Sequence, residues 1–210
     1  MKRSSTLIGA FAMTSCAIAQ TFVENGGFES GGSQQPCEWV LHGAGSTAIP
    51  GWSVLTGNVD RQRLAASCNS THAGWRSYEG EFTVDLNGFN AGGLRQTIAV
   101  LPNSPMRLAF VMTGNCVATT VGLTRSLTLE IDGSSWTFDH QCAAGYPQPW
   151  VEHFVDFTPT SQTSVISFQS LTSDTTLGPV IDSVRAWEIQ PNRIQNGGFE
   201  TGDAQGACQW

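Results

Sequence analysis

Leu127-Thr128-Leu129-Glu130-Ile131, then Asp132-Gly133, then Trp136-Thr137-Phe138 is the stretch that decides the fold. Its apolar residues recur at every second position, which is the period of a β-strand with one face toward a core and the other toward water. An Asp-Gly pair between two alternating runs is a strong signal for a tight hairpin. The stretch therefore predicts two antiparallel strands that turn at Asp132-Gly133.

The same period of two continues outward in both directions. It recurs in the runs 82–86, 108–112 and 166–168, with turn signals at Asn87-Gly88, Pro102-Asn103 and Thr158-Pro159-Thr160. On this pattern Glu81 and Asp85 belong to a solvated face, opposite Phe82, Val84 and Leu86. No window predicts an amphipathic helix. Many short strands predict an all-β protein, a β-sandwich of the jelly-roll kind, with binding loops in the irregular stretches 60–80 and 139–149.

The first nineteen residues have the pattern of a secretory signal. Lys2 and Arg3 precede the apolar run 7–13, and Ala17-Ile18-Ala19 is a small-residue cleavage site. The alternative is a lipoprotein in which Cys16 is the lipidated first residue. Because no other apolar run is long enough to span a bilayer, the sequence predicts a secreted protein, extracellular or at the cell surface.

The charge and the cysteine content exclude some classes of ligand and predict disulfide bonds. The net charge of −7, with Lys2 as the only lysine, argues against a nucleic-acid partner. Beyond the predicted signal lie Cys37, Cys68, Cys116, Cys142 and Cys208. The first four permit three disulfide pairings, of which we favour the local ones, Cys37–Cys68 and Cys116–Cys142. No paired Cys spacing supports a zinc site.

The last residues of the sequence repeat a stretch near its beginning. The nonapeptide 23–31, VENGGFESG, recurs as 194–202, IQNGGFETG, with six identical positions, and Cys37-Glu38-Trp39 recurs in register as Cys208-Gln209-Trp210. We therefore expect one complete domain over 22–190 and the start of a truncated second copy over 191–210, with Cys208 unpaired.

An ordered set of motifs resembles the DUF642 family of extracellular proteins and its bacterial choice-of-anchor C relatives. The motifs are Asn25-Gly26-Gly27-Phe28-Glu29, Ile49-Pro50-Gly51-Trp52, Gly57-Asn58-Val59-Asp60, Val84-Asp85-Leu86-Asn87-Gly88 and Gly178-Pro179-Val180-Ile181-Asp182-Ser183-Val184. The resemblance covers most of 22–189 and implies a galactose-binding-like sandwich, association with cell walls and polysaccharide binding. Asp60-Arg61 departs from the family pattern, which has an aromatic residue there.

The resemblance also suggests a structural calcium site. Glu29 follows the opening strand and Asp182 lies on the last one, and the first and last strands of such sandwiches pair. Two carboxylates plus carbonyls of the stretch 25–31 provide the oxygen ligands that calcium prefers, with Asn25 as a third participant. The alternative is that Glu29 and Asp182 bond backbone amides.

A sugar site is predicted in the loop 60–80. Aromatic faces stack on pyranose rings, and Trp75 and Tyr78 lie there among polar side chains. Arg95 is a further candidate for that surface, and Trp39, Trp136 and Trp150 are alternative platforms. The competing interpretation places the tryptophans in the core.

No catalytic constellation is recognisable. The four histidines are scattered, no nucleophile elbow occurs, and Glu79, Glu81 and Asp85 lie on one strand and its loop rather than across a cleft. The sequence therefore predicts a non-catalytic, carbohydrate-binding domain for cell-wall or matrix polysaccharide. The alternative is a structural or adhesive surface protein with protein partners, including cell-wall proteins.

Overall fold

A computed structural model describes residues 22–68, 74–173 and 176–190. This part of the chain consists of eleven strands and one short 3-10 turn, Ala118–Thr120. The strands are β1 (Trp39–Gly43), β2 (Ser53–Thr56), β3 (Asn58–Arg63), β4 (Phe82–Asp85), β5 (Gly93–Ala99), β6 (Met106–Gly114), β7 (Thr124–Ile131), β8 (Ser134–Gln141), β9 (Val151–Phe157), β10 (Thr163–Ser170) and β11 (Pro179–Glu188). No helix among the described residues is long and apolar enough to cross a membrane.

The strands form two antiparallel sheets. The first has the order β1-β3-β4-β11-β6-β9, and the second has the order β2-β5-β10-β7-β8. The predicted hairpin joins β7 to β8, and both turn residues, Asp132 and Gly133, have the positive φ that such a turn requires. The prediction of an all-β jelly-roll sandwich is confirmed.

The core lies between the sheets and contains a row of aromatic rings. Phe28 contacts Trp52 at a centroid distance of 5.5 Å, and Trp52 lies 6.2 Å from Phe168. Phe110 then meets Phe168 at 5.0 Å in an edge-to-face arrangement. These side chains are buried because successive strand residues alternate between the two faces of each sheet, and one face of each sheet meets the other.

The two ends of the described chain are tied together. The backbone N–H of Phe22 donates to the carbonyl of Ala186, and the N–H of Val184 donates to the carbonyl of Gly26, each at 2.9 Å. The segment 22–28 therefore lies along β11, but it forms turns instead of the opening strand that the sequence predicts, and β11 pairs with β4 and β6. The predicted pairing of the first and last strands is wrong in this respect.

Both favoured disulfides are present. Cys37 bonds Cys68 and Cys116 bonds Cys142, with Cα atoms 5.4 and 5.6 Å apart. The predicted signal, the repeat over 191–210 and Cys208 lie outside the described residues.

The prediction of a solvated face for Glu81 and Asp85 is wrong for Asp85, whereas the side chain of Glu81 is 43% exposed and pairs with Arg63. Thr83 and Asp85 are fully buried, because Trp75 covers Thr83 while Asn115 and Gly178 lie against Asp85. The alternating residues of β4 therefore face two buried environments: the core between the sheets on one side, and these covering residues on the other.

Candidate functional site

Trp75, the first predicted sugar contact, is a packing residue. Its side chain is only 2% exposed and packs with Leu64 and Val180, while its indole N–H donates to the hydroxyl of Thr83 at 3.2 Å. A ring buried on both faces cannot stack on a sugar. The expectation that Trp75 is a platform is therefore wrong, because this tryptophan seals the loop against the sheet.

Tyr78 keeps an exposed ring. Its side chain is 52% exposed and meets Trp150 edge to face at 6.1 Å. Trp150 is partly buried, and its indole N–H donates to the carbonyl of Arg76 at 2.8 Å. Tyr78 thus presents one aromatic face to solvent on a supported loop.

Asp182 holds that loop from below. Its Oδ2 accepts the backbone N–H groups of Tyr78 and Glu79, at 3.0 and 3.3 Å, and its Oδ1 accepts that of Ser183 at 2.7 Å. Burial nevertheless raises the pKa of Asp182 to about 7, although these hydrogen bonds oppose the shift. The carboxyl is a structural acceptor at the bulge of β11.

Glu29 holds the other end of the same loop, and Asn25 lies elsewhere. Glu29 Oε1 accepts the N–H groups of Glu81 and Phe82, at 3.0 and 2.9 Å. Asn25 instead bridges Ser30 and the carbonyl of Pro50. The structure thus brings two of the three predicted calcium ligands to one loop.

Backbone hydrogen bonds give these acceptors partners other than a cation. Their carboxylate oxygens face backbone N–H donors, and among the described residues no three His, Cys, Asp or Glu side chains converge as a metal site would require. Calcium at this place stays a prediction from the sequence.

Arg95 lies on the second sheet, apart from Tyr78. It projects from β5 into an open groove of about 510 Å³, and its Nε donates to Ser53 Oγ at 3.3 Å. No exposed aromatic ring lines this groove, since Trp52 is buried beneath it. The structure therefore separates the predicted sugar contacts into different surfaces.

Two strongly exposed aromatic side chains lie at one edge of the first sheet. Trp39 is 60% exposed on edge strand β1, and Phe89 is 74% exposed in the loop after β4. Leu41 shares the outer face of β1 with Trp39, about 7 Å away, and pairs with Asp60 across the strands. We refer to Trp39, Leu41, Asn58, Asp60 and Phe89 as the edge platform.

Asn58 fixes the loop that carries Phe89. Its Oδ1 accepts the N–H groups of Phe89 and Asn90, and its carbonyl accepts that of Gly88. A Cβ at Gly88 would come within 2.3 Å of Leu41 and 2.5 Å of the Asn58 side chain, so only glycine permits this close approach. The platform is therefore built on a rigid turn.

Two carboxyl groups lie side by side under the platform. Asp60 of β3 and Asp85 of β4 are register partners. Burial raises the pKa of Asp60 to about 6, and burial together with the neighbouring Asp60 raises the pKa of Asp85 to about 8. Asp85 accepts hydrogen bonds from the N–H of Asn87 and the amide of Asn115, whereas Asp60 Oδ1 is buried without a partner.

The sequence contained only part of this site. The sequence identifies Trp39 as one of several alternative platforms, and it marks Asp60 only as a departure from a family pattern. The signal available was the alternation of Trp39 and Leu41 beside Cys37. Phe89 carried no signal, because its exposure depends on how the loop 86–91 packs against β1 and β3.

Comparison with known proteins gives one family and several distant structures. The model of a family described as "Protein of unknown function (DUF642)" matches residues 21–186. A search of the curated proteins finds no match.

Among solved structures, TmCBM61 in complex with β-1,4-galactotriose is 15% identical, with a TM-score of 0.46 over 81% of this chain and 100% of that one. A native family 35 carbohydrate-binding module from Clostridium thermocellum is 15% identical, with a TM-score of 0.46 over 72% and 99%. The CBM22-1 xylan-binding domain from Paenibacillus barcinonensis Xyn10C is 13% identical, with a TM-score of 0.43 over 76% and 99%. Similarity this distant does not indicate what this chain binds.

Proposed function

Because the chain belongs to the DUF642 family, whose description names no activity, we propose its function from its surface: it is a secreted, non-catalytic domain that binds cell-wall or matrix polysaccharide. The edge platform carries this proposal. Two exposed aromatic rings flank a polar floor on one rigid sheet edge.

The chemistry of the platform suits a sugar chain. The apolar faces of pyranose rings stack on aromatic faces, while carboxylate and amide groups bond the hydroxyls. Trp39 and Phe89 supply the faces, and the partly exposed Asp60 supplies an acceptor between them. Trp39, Leu41 and Phe89 together expose apolar surface at this one edge, and a clustered exposed apolar surface is typical of an interaction site.

The carboxyl pair does not suit glycoside hydrolysis. A hydrolase needs two carboxyls that face each other across the scissile bond. Asp85 is fully buried and lies beside Asp60 on the next strand, so a sugar can reach only one of them. This arrangement supports a binding role rather than catalysis.

The two disulfides support the secreted part of the proposal. Disulfides persist in oxidising compartments and are rare in the cytosol. Cys37–Cys68 also closes the chain just before β1, next to Trp39, and so anchors the strand that presents the platform.

The test is retention of the full chain on a panel of insoluble cell-wall polysaccharides. We expect retention on one class of polysaccharide, and we expect Trp39→Ala and Phe89→Ala each to lower the affinity by up to about tenfold, since one aromatic stacking contact contributes roughly 0.5–1.5 kcal/mol. Phe154→Ala removes an equally exposed ring from β9, far along the same sheet, and is the matched control.

Tyr78 provides the comparison variant for the site predicted from the loop 60–80. If Tyr78→Ala abolishes retention while Trp39→Ala does not, the sugar site lies on that loop, and the edge platform is not the binding surface. Loss in the Phe154→Ala control as well would show non-specific adsorption.

A second candidate is a structural or adhesive protein that binds other proteins. Two observations favour it: Trp75 is buried, and β1 is an edge strand whose unpaired backbone groups can add a partner strand. A folded sample that is retained by no polysaccharide, and whose self-association or protein binding is lost in Trp39→Ala, would establish this alternative.

A further inference from the structure

The outer face of the second sheet carries a groove that the edge platform does not use. It lies between the segment before β2 and the strands β5 and β10. Three hydroxyl side chains and one guanidinium line it, namely Thr47, Ser53, Thr97 and Arg95. Among the described residues that line the groove there is no carboxylate, and Val165 adds an apolar side chain.

Arg95 differs from the arginines that form ion pairs. Among the described residues, Arg63, Arg107 and Arg185 each pair with a carboxylate, whereas Arg95 forms no such pair. Its single hydrogen bond runs from Nε to Ser53 Oγ at 3.3 Å. Both terminal nitrogens of a planar guanidinium therefore remain available as donors in the open groove.

The sheet fixes the backbone that carries the guanidinium. Arg95 pairs with Ser53 of β2 on one side and with Ser167 of β10 on the other, so its strand is fixed from both edges. Thr97 and its partner Val165 form the next row of the same face. The groove thus places one exposed cation among hydroxyl groups, next to one apolar side chain.

We propose that this groove is a second site, for a sugar residue that bears a carboxylate. Arg95 binds the carboxylate of a uronate through two parallel N–H···O bonds, and the hydroxyls of Ser53 and Thr97 bond the ring hydroxyls. A planar carboxylate matches the guanidinium fork in geometry and charge. The site is independent of the edge platform, which lies on the other sheet.

The charge of the protein limits the ligand further. With a net charge of −7, the chain repels a long polyanion, and Glu24 lies beside Gly51 at the margin of the groove. Glu130 lies on the same face two strands from Arg95, at roughly 10 Å. The ligand is therefore a mostly neutral glycan with isolated uronate residues.

The test is an NMR titration of the full chain, labelled with ¹⁵N, at low ionic strength. Sodium D-glucuronate is the probe, and D-glucose is its neutral counterpart. We expect glucuronate, but not glucose, to shift the Arg95 Nε–H signal and the backbone amides of Ser53 and Thr97. Equal shifts with both sugars would overturn the proposal.

Variants of Arg95 then distinguish the contribution of the guanidinium's geometry from that of its positive charge. Arg95→Gln should weaken glucuronate binding by about tenfold or more, and Arg95→Lys should restore part of it, since lysine keeps the charge and lacks the fork. Arg185→Gln, an exposed arginine on the first sheet, is the matched control and should change nothing. Unchanged binding in Arg95→Gln, or an equal loss in Arg185→Gln, would contradict the proposal.

One more variant distinguishes binding in the groove from binding at the edge platform. Trp39→Ala should leave the glucuronate titration unchanged even where it abolishes retention on polysaccharide. If Trp39→Ala also abolishes the shifts at Arg95, the groove is not an independent site.

Discussion

Asp60 and Asp85 show how one pair of side chains links the strands to the edge platform. Asp85 accepts the N–H of Asn87, just before the loop that carries Phe89, and Asp60 pairs with Leu41 on the platform itself. Both pKa values are raised above the ordinary value of 3.8, by burial first and, for Asp85, also by its neighbour. Both groups therefore bind protons more tightly in the folded protein than in the unfolded chain.

This pair predicts a stability that falls as pH rises. Between about pH 4, where an unfolded aspartate ionises, and about pH 8, where Asp85 does, the folded protein holds more protons than the unfolded chain. The free energy of unfolding therefore decreases across that window. Asp85→Asn should make the free energy of unfolding, measured with denaturant from pH 4 to pH 8, less dependent on pH.

Glu130→Gln is the control for that measurement, because it neutralises an exposed carboxylate on β7. Asp182 remains in both variants and contributes a slope of the same sign, since burial raises its pKa to about 7. Parallel curves for the wild type and Asp85→Asn would show that the pair does not control the pH dependence.

At the scale of elements, strands β4 and β6 have neighbours on both faces. The alternation along β6 predicts a core face of Leu108, Phe110 and Met112, which is correct, yet Ala109 and Val111 on the other face are buried as well. A period of two identifies the strand, but it cannot tell which loops cover the second face. That depends on long-range packing, here by segments closed by the two disulfides.

Trp75 lies under a covering loop and Trp39 lies on an exposed edge, so their substitutions should change the free energy of unfolding by very different amounts. Trp75→Ala should lower the free energy of unfolding by about 3–5 kcal/mol, because it leaves a cavity and an unpartnered Thr83 hydroxyl. Trp39→Ala should change it by less than about 1 kcal/mol, because the ring is mostly in water. Chemical denaturation of both variants checks this contrast, and an equal loss would show that Trp39 is a packing residue.

The hydrogen bonds at the two ends of the loop 78–82 predict how this loop responds to calcium. Glu29 and Asp182 hold its two ends through backbone N–H groups, so we expect its stability to come from these bonds. Glu29→Ala should increase hydrogen exchange at Glu81 and Phe82 whether calcium or a chelator is present. A melting temperature that rises with calcium in the wild type, and not in Glu29→Ala, would establish the metal site instead.

For the whole molecule, the sequence predicted the parts that depend on local pattern. Alternation gave the sandwich, Asp132-Gly133 gave the hairpin, and local spacing gave the two disulfides. It did not predict the distribution of exposed rings. Trp75 and Trp39 are equally apolar in sequence, and only the folding of one segment over the sheet buries the first and leaves the second in solvent.

The indole N–H signals of the tryptophans show whether a sugar binds at the edge platform. Trp39, Trp75 and Trp150 lie in three different environments, so an NMR titration with an oligosaccharide from a retained polysaccharide distinguishes them. We predict that the Trp39 indole signal shifts in proportion to binding, while the Trp75 and Trp150 signals stay in place. A shift at Trp150 with none at Trp39 would contradict the account and move the sugar site to the Tyr78 loop.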